Sequence, residues 1–304
     1  MGRVAWTFTS GEMYAMPDQP PHPAVGHFGR DGMRRLSLSG VGATVNDETR
    51  AVLEHTGVPV QAAPYFTAAG ATDGVTLGMF AGHHGLPADE SRARWVRLGT
   101  DGLAHLVVGP DGAVRAVFLD GIAPDMFVNT DVAEFGLCLA VLDRRMSVIA
   151  SSTDLAGGAA AFRELNAELR HVAPGAFEER ENWWPRVLDD VRHTLNIGFS
   201  AAIEYVDGNG RKQIATDATG PGRRHPEELL WERLRGEGVA AGQVKRVYGE
   251  LEACMMPGHY CAAWMAKEFP QAQFTHSFDY GDTAESREEG LKALIRYAAE
   301  QTPR

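Results

Sequence analysis

Three cysteines occur in 304 residues, and two of them flank a single turn. The stretch "ELEACMMPGHYC", Glu250–Cys261, sets Cys254 and Cys261 on either side of Pro257–Gly258. What surrounds it narrows the fold: "QVKRVYGELEAC" reads as a strand, and "YCAAWMAKEF" as a helix stopped by Pro270. A strand end, a reversal and a helix start must therefore meet, with both thiols at one edge of a sheet. Three readings of the pair stand open: a disulfide, a metal site, or coincidence. The opening residues "MGRVAWTFTS" lack the basic start and apolar run of an export signal, so a reducing, cytoplasmic compartment is expected. In such a compartment a close cysteine pair is more often metal-binding or redox-active than a structural disulfide. Thiol redox fits the spacing poorly, since redox pairs are usually separated by two residues.

The chain is long enough for two domains, each with its own core. We expect an irregular lead-in over residues 1–30, which includes "MPDQPPHP", a first domain over 31–195 and a second over 196–304. In the first, "RRLSLSG" reads as a short strand, and "NDETRAVLEHTG" as a helix capped by Asn46 or Asp47 and stopped by Gly57. "ARWVRLG", "LAHLVVG" and "AVRAVFLDG" read as strands, the last two joined by the turn "GPDG". His83 and His84 are followed by "GLPADE", a loop sequence, and a metal role for them is not expected. "FVNTDVAEFGLCLAVLDRR" enters a helix with Phe135, Cys138, Leu139 and Leu142 on one face, so Cys138 reads as a core residue. "AAFRELNAELRHV" and "WWPRVLDDVRHTLN" supply further helices, and the latter could belong to either domain.

The second half reads β-β-α-β-α-β-α. "FSAAIEYVDGNGRKQIATDATG" is a hairpin turning at "DGNG", and "HPEELLWERLRGEG" is a helix with Pro226 in its first turn. "AQFTHSFDYG" is a strand, and "TAESREEGLKALIRYAAEQ" a closing helix. That order suggests an α/β arrangement of helices around a mixed sheet. Phe274, Phe278 and Tyr280 alternate on the strand; they could line a base pocket, but core packing is expected.

Two sulfurs need a third donor to hold a metal. His225 opens the helix upstream, and Glu227 follows after one residue. Taken alone the triplet is close to what chance supplies in a chain with 11 histidines. Acids also gather at helix starts to complement the dipole. The ordered combination is more specific. A helix opening His-x-Glu, a strand, then cysteine-loop-cysteine entering another helix resembles the zinc-dependent nucleobase deaminases, whose pattern is H-x-E…P-C-x-x-C. The likeness spans about 196–304 and is strongest to the toxin-type deaminases of bacterial conflict systems. Two departures stand out: Ala253 occupies the proline position, and six residues separate the cysteines instead of two.

The resemblance implies a three-layer α/β deaminase-like domain holding one zinc ion per chain on His225, Cys254 and Cys261. It also implies a nucleobase-containing substrate, cytosine or adenine. Glu227 would be the catalytic acid and base, moving a proton to the ring nitrogen and then to departing ammonia. His259, in the intervening loop, could contact substrate or face solvent, and solvent is expected.

In the first half, strand-turn-strand leading into "FVNT" and a helix resembles the SUKH superfamily, particularly its fourth immunity subgroup. "TGVPVQAAPYFTA" and "ENWWPRVLDDV" extend that likeness over roughly 30–195. It implies an α+β binding domain and a protein partner. The whole would then be a deaminase linked to a binding domain. Alternatively it is a non-catalytic immunity protein whose second half is a zinc-stabilised scaffold. Charge excludes a basic nucleic-acid clamp. The net formal charge is −11, and residues 1–185 carry 14 Lys and Arg against 22 Asp and Glu. No apolar run is long enough to span a bilayer, so no membrane partner is expected.

Overall fold

Apart from one two-stranded pair, the strands among the described residues divide between two larger sheets that belong to consecutive halves of the chain. The computed structural model describes residues 22–301 except Ala88, so all of "MPDQPPHP" but His22 and Pro23 lies outside the described residues. Within 22–30, where irregular backbone was expected, Pro23–Phe28 forms helix α1, with the proline at its first turn. Strand β1 (Met33–Arg34) pairs with β2 (Val58–Pro59). The expected strand "RRLSLSG" is thus extended chain beyond Arg34. Leu36 and Leu38 are buried there as anchors, without a ladder of their own. Helix α2 (Asp47–Ala51) is capped by Asn46, which accepts the Thr49 N–H at 2.7 Å, and it runs through one π turn to stop at Gly57.

An antiparallel meander follows: β3 (Gln61–Ala62), β4 (Phe66–Ala68), β5 (Val96–Thr100), β6 (His105–Val108), β7 (Val114–Val117) and β8 (Met126–Asn129), adjacent in chain order. Helix α3 (Leu77–His84) interrupts it, with His83 and His84 in its last turn and the loop beginning at Gly85. Helices α4 (Val132–Ser151), α5 (Leu155–Val172) and α6 (Trp183–Asn196) then close the unit. Strands first and helices after make this half α+β. Asp131 caps α4 by accepting the Glu134 N–H at 2.7 Å, and Phe135, Cys138, Leu139 and Leu142 are buried on one stripe, as their spacing suggests. The "VN" and "WW" motifs meet inside: Trp184 donates its indole N–H to Asn129 at 2.8 Å, and Trp183 donates to Asp101 at 2.6 Å.

The second sheet contains β9 (Ser200–Val206), β10 (Lys212–Ala218), β11 (Val244–Leu251) and β12 (Gln273–Phe278), in the order β10-β9-β11-β12. Only the β11–β12 pair is parallel, so the sheet is mixed. Helices α7 (Pro226–Gly236), α8 (Cys261–Glu268) and α9 (Ala284–Gln301) alternate with the strands, as an α/β order requires. Two expectations are corrected here. Phe274 is 44% exposed, because its edge strand is largely uncovered, and Tyr280 is buried but lies beyond the strand.

Helix α6 serves both halves. Its Trp183, Trp184 and Val187 enter the first core, while Arg287 of α9 reaches back to Glu181 just ahead of α6 and to Asp189 on it, at 3.2 and 3.7 Å. Among the described residues no helix is long and apolar enough to cross a membrane. The Asp131 cap sets a testable energy. Asp131→Ala should destabilise the chain by about 1 kcal/mol, read as a lower urea midpoint with an unchanged transition slope.

Candidate metal centre

His225 precedes α7, and its backbone N–H is accepted by the Glu228 carboxylate at 3.0 Å. Cys254, the last residue of the expected strand, stands three residues past the observed end of β11, and Cys261 is the first residue of α8. The Pro257–Gly258 turn, with Gly258 at φ 82°, carries the chain back so that all three side chains converge. His225 Nδ1 lies 3.4 Å from Cys254 Sγ and 3.5 Å from Cys261 Sγ, and all three residues are buried. All three cysteines are free thiols, which removes the disulfide reading.

These separations suit a shared ion. A tetrahedral centre with ligands at about 2.0–2.3 Å holds neighbouring donors roughly 3.3–3.8 Å apart. One imidazole and two sulfurs are also a soft set of the kind zinc takes. Electrostatics point the same way. Burial alone would raise the Cys254 pKa, but the neighbouring Cys261 thiol and the His225 ring hold it well below its usual range. Burial and the adjacent Cys254 charge push Cys261 well above its own. The pair therefore offers a thiolate, the form that binds metal.

Glu227 sits in the first turn of α7 and is 4% exposed. Burial raises its pKa to about 7, and its Oε2 has no hydrogen-bond partner. A cavity of about 10 Å³, roughly one water molecule in size, is lined by Glu227, His225 and Cys254 together with Phe199, His193 and Tyr280. A second, of about 320 Å³, is lined by Glu227, Ala253, Ala262, Met265, Phe274 and His276. The arrangement can place a small molecule, a water and a titratable carboxylate beside the three donors.

The chain between the cysteines corrects the expectation for His259. It is 5% exposed, and its ring stacks on His225 at 3.9 Å with an interplanar angle of 5°. Its Nδ1 pairs with Glu228 at 2.7 Å and its Nε2 with Asp190 at 3.2 Å. Burial and the facing His225 would lower its pKa, yet the two carboxylates raise it to about 9. Asp190, from α6, was missed by the sequence reading. It accepts from His225 Nε2 at 3.0 Å and from the Tyr65 hydroxyl at 2.8 Å. Burial would raise its pKa, but His259 and His225 hold it well below the usual carboxylate range. A sequence signal existed: Trp183, Val187, Asp190 and Thr194 share one helical stripe, so an acid stands among apolar neighbours.

Asp190, His225 and His259 are also close enough to share an ion, but their contacts are already hydrogen-bonded and charge-balanced. Tyr260 was missed too. It belongs to the first core, donates its hydroxyl to Asp101 at 2.7 Å and meets Phe118 edge-on, whereas Cys261 belongs to the second core. The long gap between the cysteines is thus a plug set into the N-terminal half.

Two family models match the chain: SUKH-4 immunity protein over residues 19–190 and Xanthomonas-like deaminase over residues 197–297. No curated protein and no solved structure matches it. The plug yields its own expectation. Tyr260→Phe leaves the buried Asp101 short of one donor and should cost about 1–2 kcal/mol of stability, measured by urea denaturation.

Proposed function

The chain belongs to the SUKH-4 immunity protein family and ends in a deaminase domain, and on that basis we propose that it is a zinc-dependent hydrolytic deaminase of a nucleobase joined to a protein-binding domain. The carrying observation is Glu227. A buried carboxylate with an unpartnered oxygen costs about 1–3 kcal/mol or more, and a purely structural metal site has no use for one. Beside three convergent donors it has a clear use.

In this reading His225, Cys254 and Cys261 hold the ion. Bound zinc would supply Lewis acidity that lets water ionise near neutrality. Glu227, which is not a ligand, takes the proton from water and gives it to the ring nitrogen of the base. It then takes the second proton, from the hydroxyl now on the ring carbon, and passes it to the amino group; the C–N bond breaks as the carbonyl forms, and ammonia leaves. The roughly 320 Å³ cavity is at the small end of ordinary small-molecule pockets, and Phe274 on its wall offers an exposed ring for stacking. Ala253 at its rim leaves room where the deaminase pattern carries proline. The N-terminal domain, of immunity type, would engage a protein partner.

A second reading, an immunity-type binding protein with a zinc-stabilised scaffold, draws on the tight packing of Phe199, His193 and Tyr280 beside the donors. Metal analysis and ammonia release decide between the two. Purified protein should carry about one zinc per chain, and Cys254→Ala should lose it. On a panel of free bases, nucleosides, nucleotides and single strands, wild type should release ammonia from at least one member. Glu227→Gln should keep the metal and lower the rate by about 10²–10⁴-fold. Zinc without turnover on any substrate would favour the scaffold, and metal-free protein would contradict both readings.

A further inference from the structure

We propose that Asp190 is a positioning residue of the metal centre: this carboxylate of the N-terminal half fixes the ring plane and tautomer of His225, so the centre is complete only when both halves are docked. The proposal rests on the reading of His225, Cys254 and Cys261 as ligands.

The geometry leaves His225 one orientation. Its Nε2 faces Asp190 Oδ1 at 3.0 Å, and a carboxylate can only accept, so Nε2 carries the proton. The unprotonated Nδ1 is then left to face the two thiols at 3.4 and 3.5 Å. The ring plane is fixed as well, with His259 stacked on one face and Phe199 set edge-on at 5.6 Å. Asp190 itself cannot swing away easily. It is 2% exposed, and its two oxygens receive Tyr65, His225 and His259. These partners come from three separated segments, so the carboxylate is placed by the tertiary fold.

Metal-binding histidines generally hand their second nitrogen to such an acceptor, which fixes the tautomer and strengthens the ligand. Here the acceptor lies on α6, at the last residue of the SUKH-4 match and outside the deaminase match. The deaminase segment alone therefore lacks the group that orients its own histidine. The plug at Tyr260 and the Arg186 contact to the Met255 carbonyl at 2.7 Å hold α6 against the cysteine loop and keep that acceptor in place.

The test uses the full chain, zinc-loaded and labelled with ¹⁵N-histidine, with zinc affinity measured by chelator competition. In wild type the ring spectrum of His225 should show metal on Nδ1 and a slowly exchanging proton on Nε2. Asp190→Asn, nearly isosteric, should weaken zinc binding about 10–100-fold and expose that proton to exchange. Trp184→Phe destabilises the same half through Asn129 without touching Asp190, and it should leave zinc affinity unchanged. Unchanged affinity in Asp190→Asn, an equal loss in Trp184→Phe, or metal on Nε2 in wild type would overturn the proposal. The wild-type spectrum decides alone if Asp190→Asn does not fold. Wild type that binds no zinc would instead overturn the ligand reading beneath it, a result distinct from zinc bound without regard to Asp190.

Discussion

One buried carboxylate of the first half, Asp190, reaches the imidazole at the candidate metal centre of the second. Moving an ionised Asp190 out of water costs on the order of several kcal/mol, which is offset only where good donors surround it. It has three: the Tyr65 hydroxyl and the facing nitrogens of His225 and His259. Glu228 extends the line at the far side of His259 and returns it to the start of α7 by accepting the His225 N–H. Acceptor and donor alternate along Glu228, His259, Asp190 and His225. Removing any member would leave another buried and uncompensated, so the set acts as a unit. What it fixes is the direction of one imidazole, whose Nδ1 faces the two thiols.

The six residues between the cysteines, a departure from the deaminase pattern, have a structural reason. They are the segment by which the second half is anchored in the first. Tyr260 adopts a left-handed backbone at φ 47°, which costs roughly 1–3 kcal/mol in a residue other than glycine and persists only where packing over-determines it. Burial against Phe118 and the bond to Asp101 supply that packing, and Asp101 also receives Trp183. Gly258 lies against Tyr65, and an added Cβ would stand 2.8 Å from the ring, so the turn fits only without a side chain. A shorter loop could bring the thiols together but could not reach the N-terminal core.

Much of this was legible in the sequence. The strand–helix order of the second half, its mixed sheet, and the helical stripe carrying Cys138 all follow from periodicity and caps, which act over a few residues. Pattern placed both thiols at one sheet edge, while the meeting of His225 with Cys254 and Cys261 was implied by the resemblance to the deaminases. The rest depended on partners far away in the chain. Asp190 lies 35 residues from His225, and Asp101 lies 159 from Tyr260, so no local pattern pairs them. His259 looked solvated because it lies in the loop between the cysteines, and the groups packed on it, among them Asp190 and Tyr65, are distant in the chain. "RRLSLSG" alternates as a strand does, yet beyond Arg34 its leucines found core contacts before a ladder.

Zinc K-edge X-ray absorption on the purified full chain tests the central claim most directly, because it counts the atoms around the ion without reference to activity. The account predicts two sulfur neighbours at about 2.3 Å and nitrogen or oxygen neighbours at about 2.0–2.2 Å. A shell without sulfur would contradict it, because the ion would then lie away from Cys254 and Cys261. So would a chain that takes up no zinc.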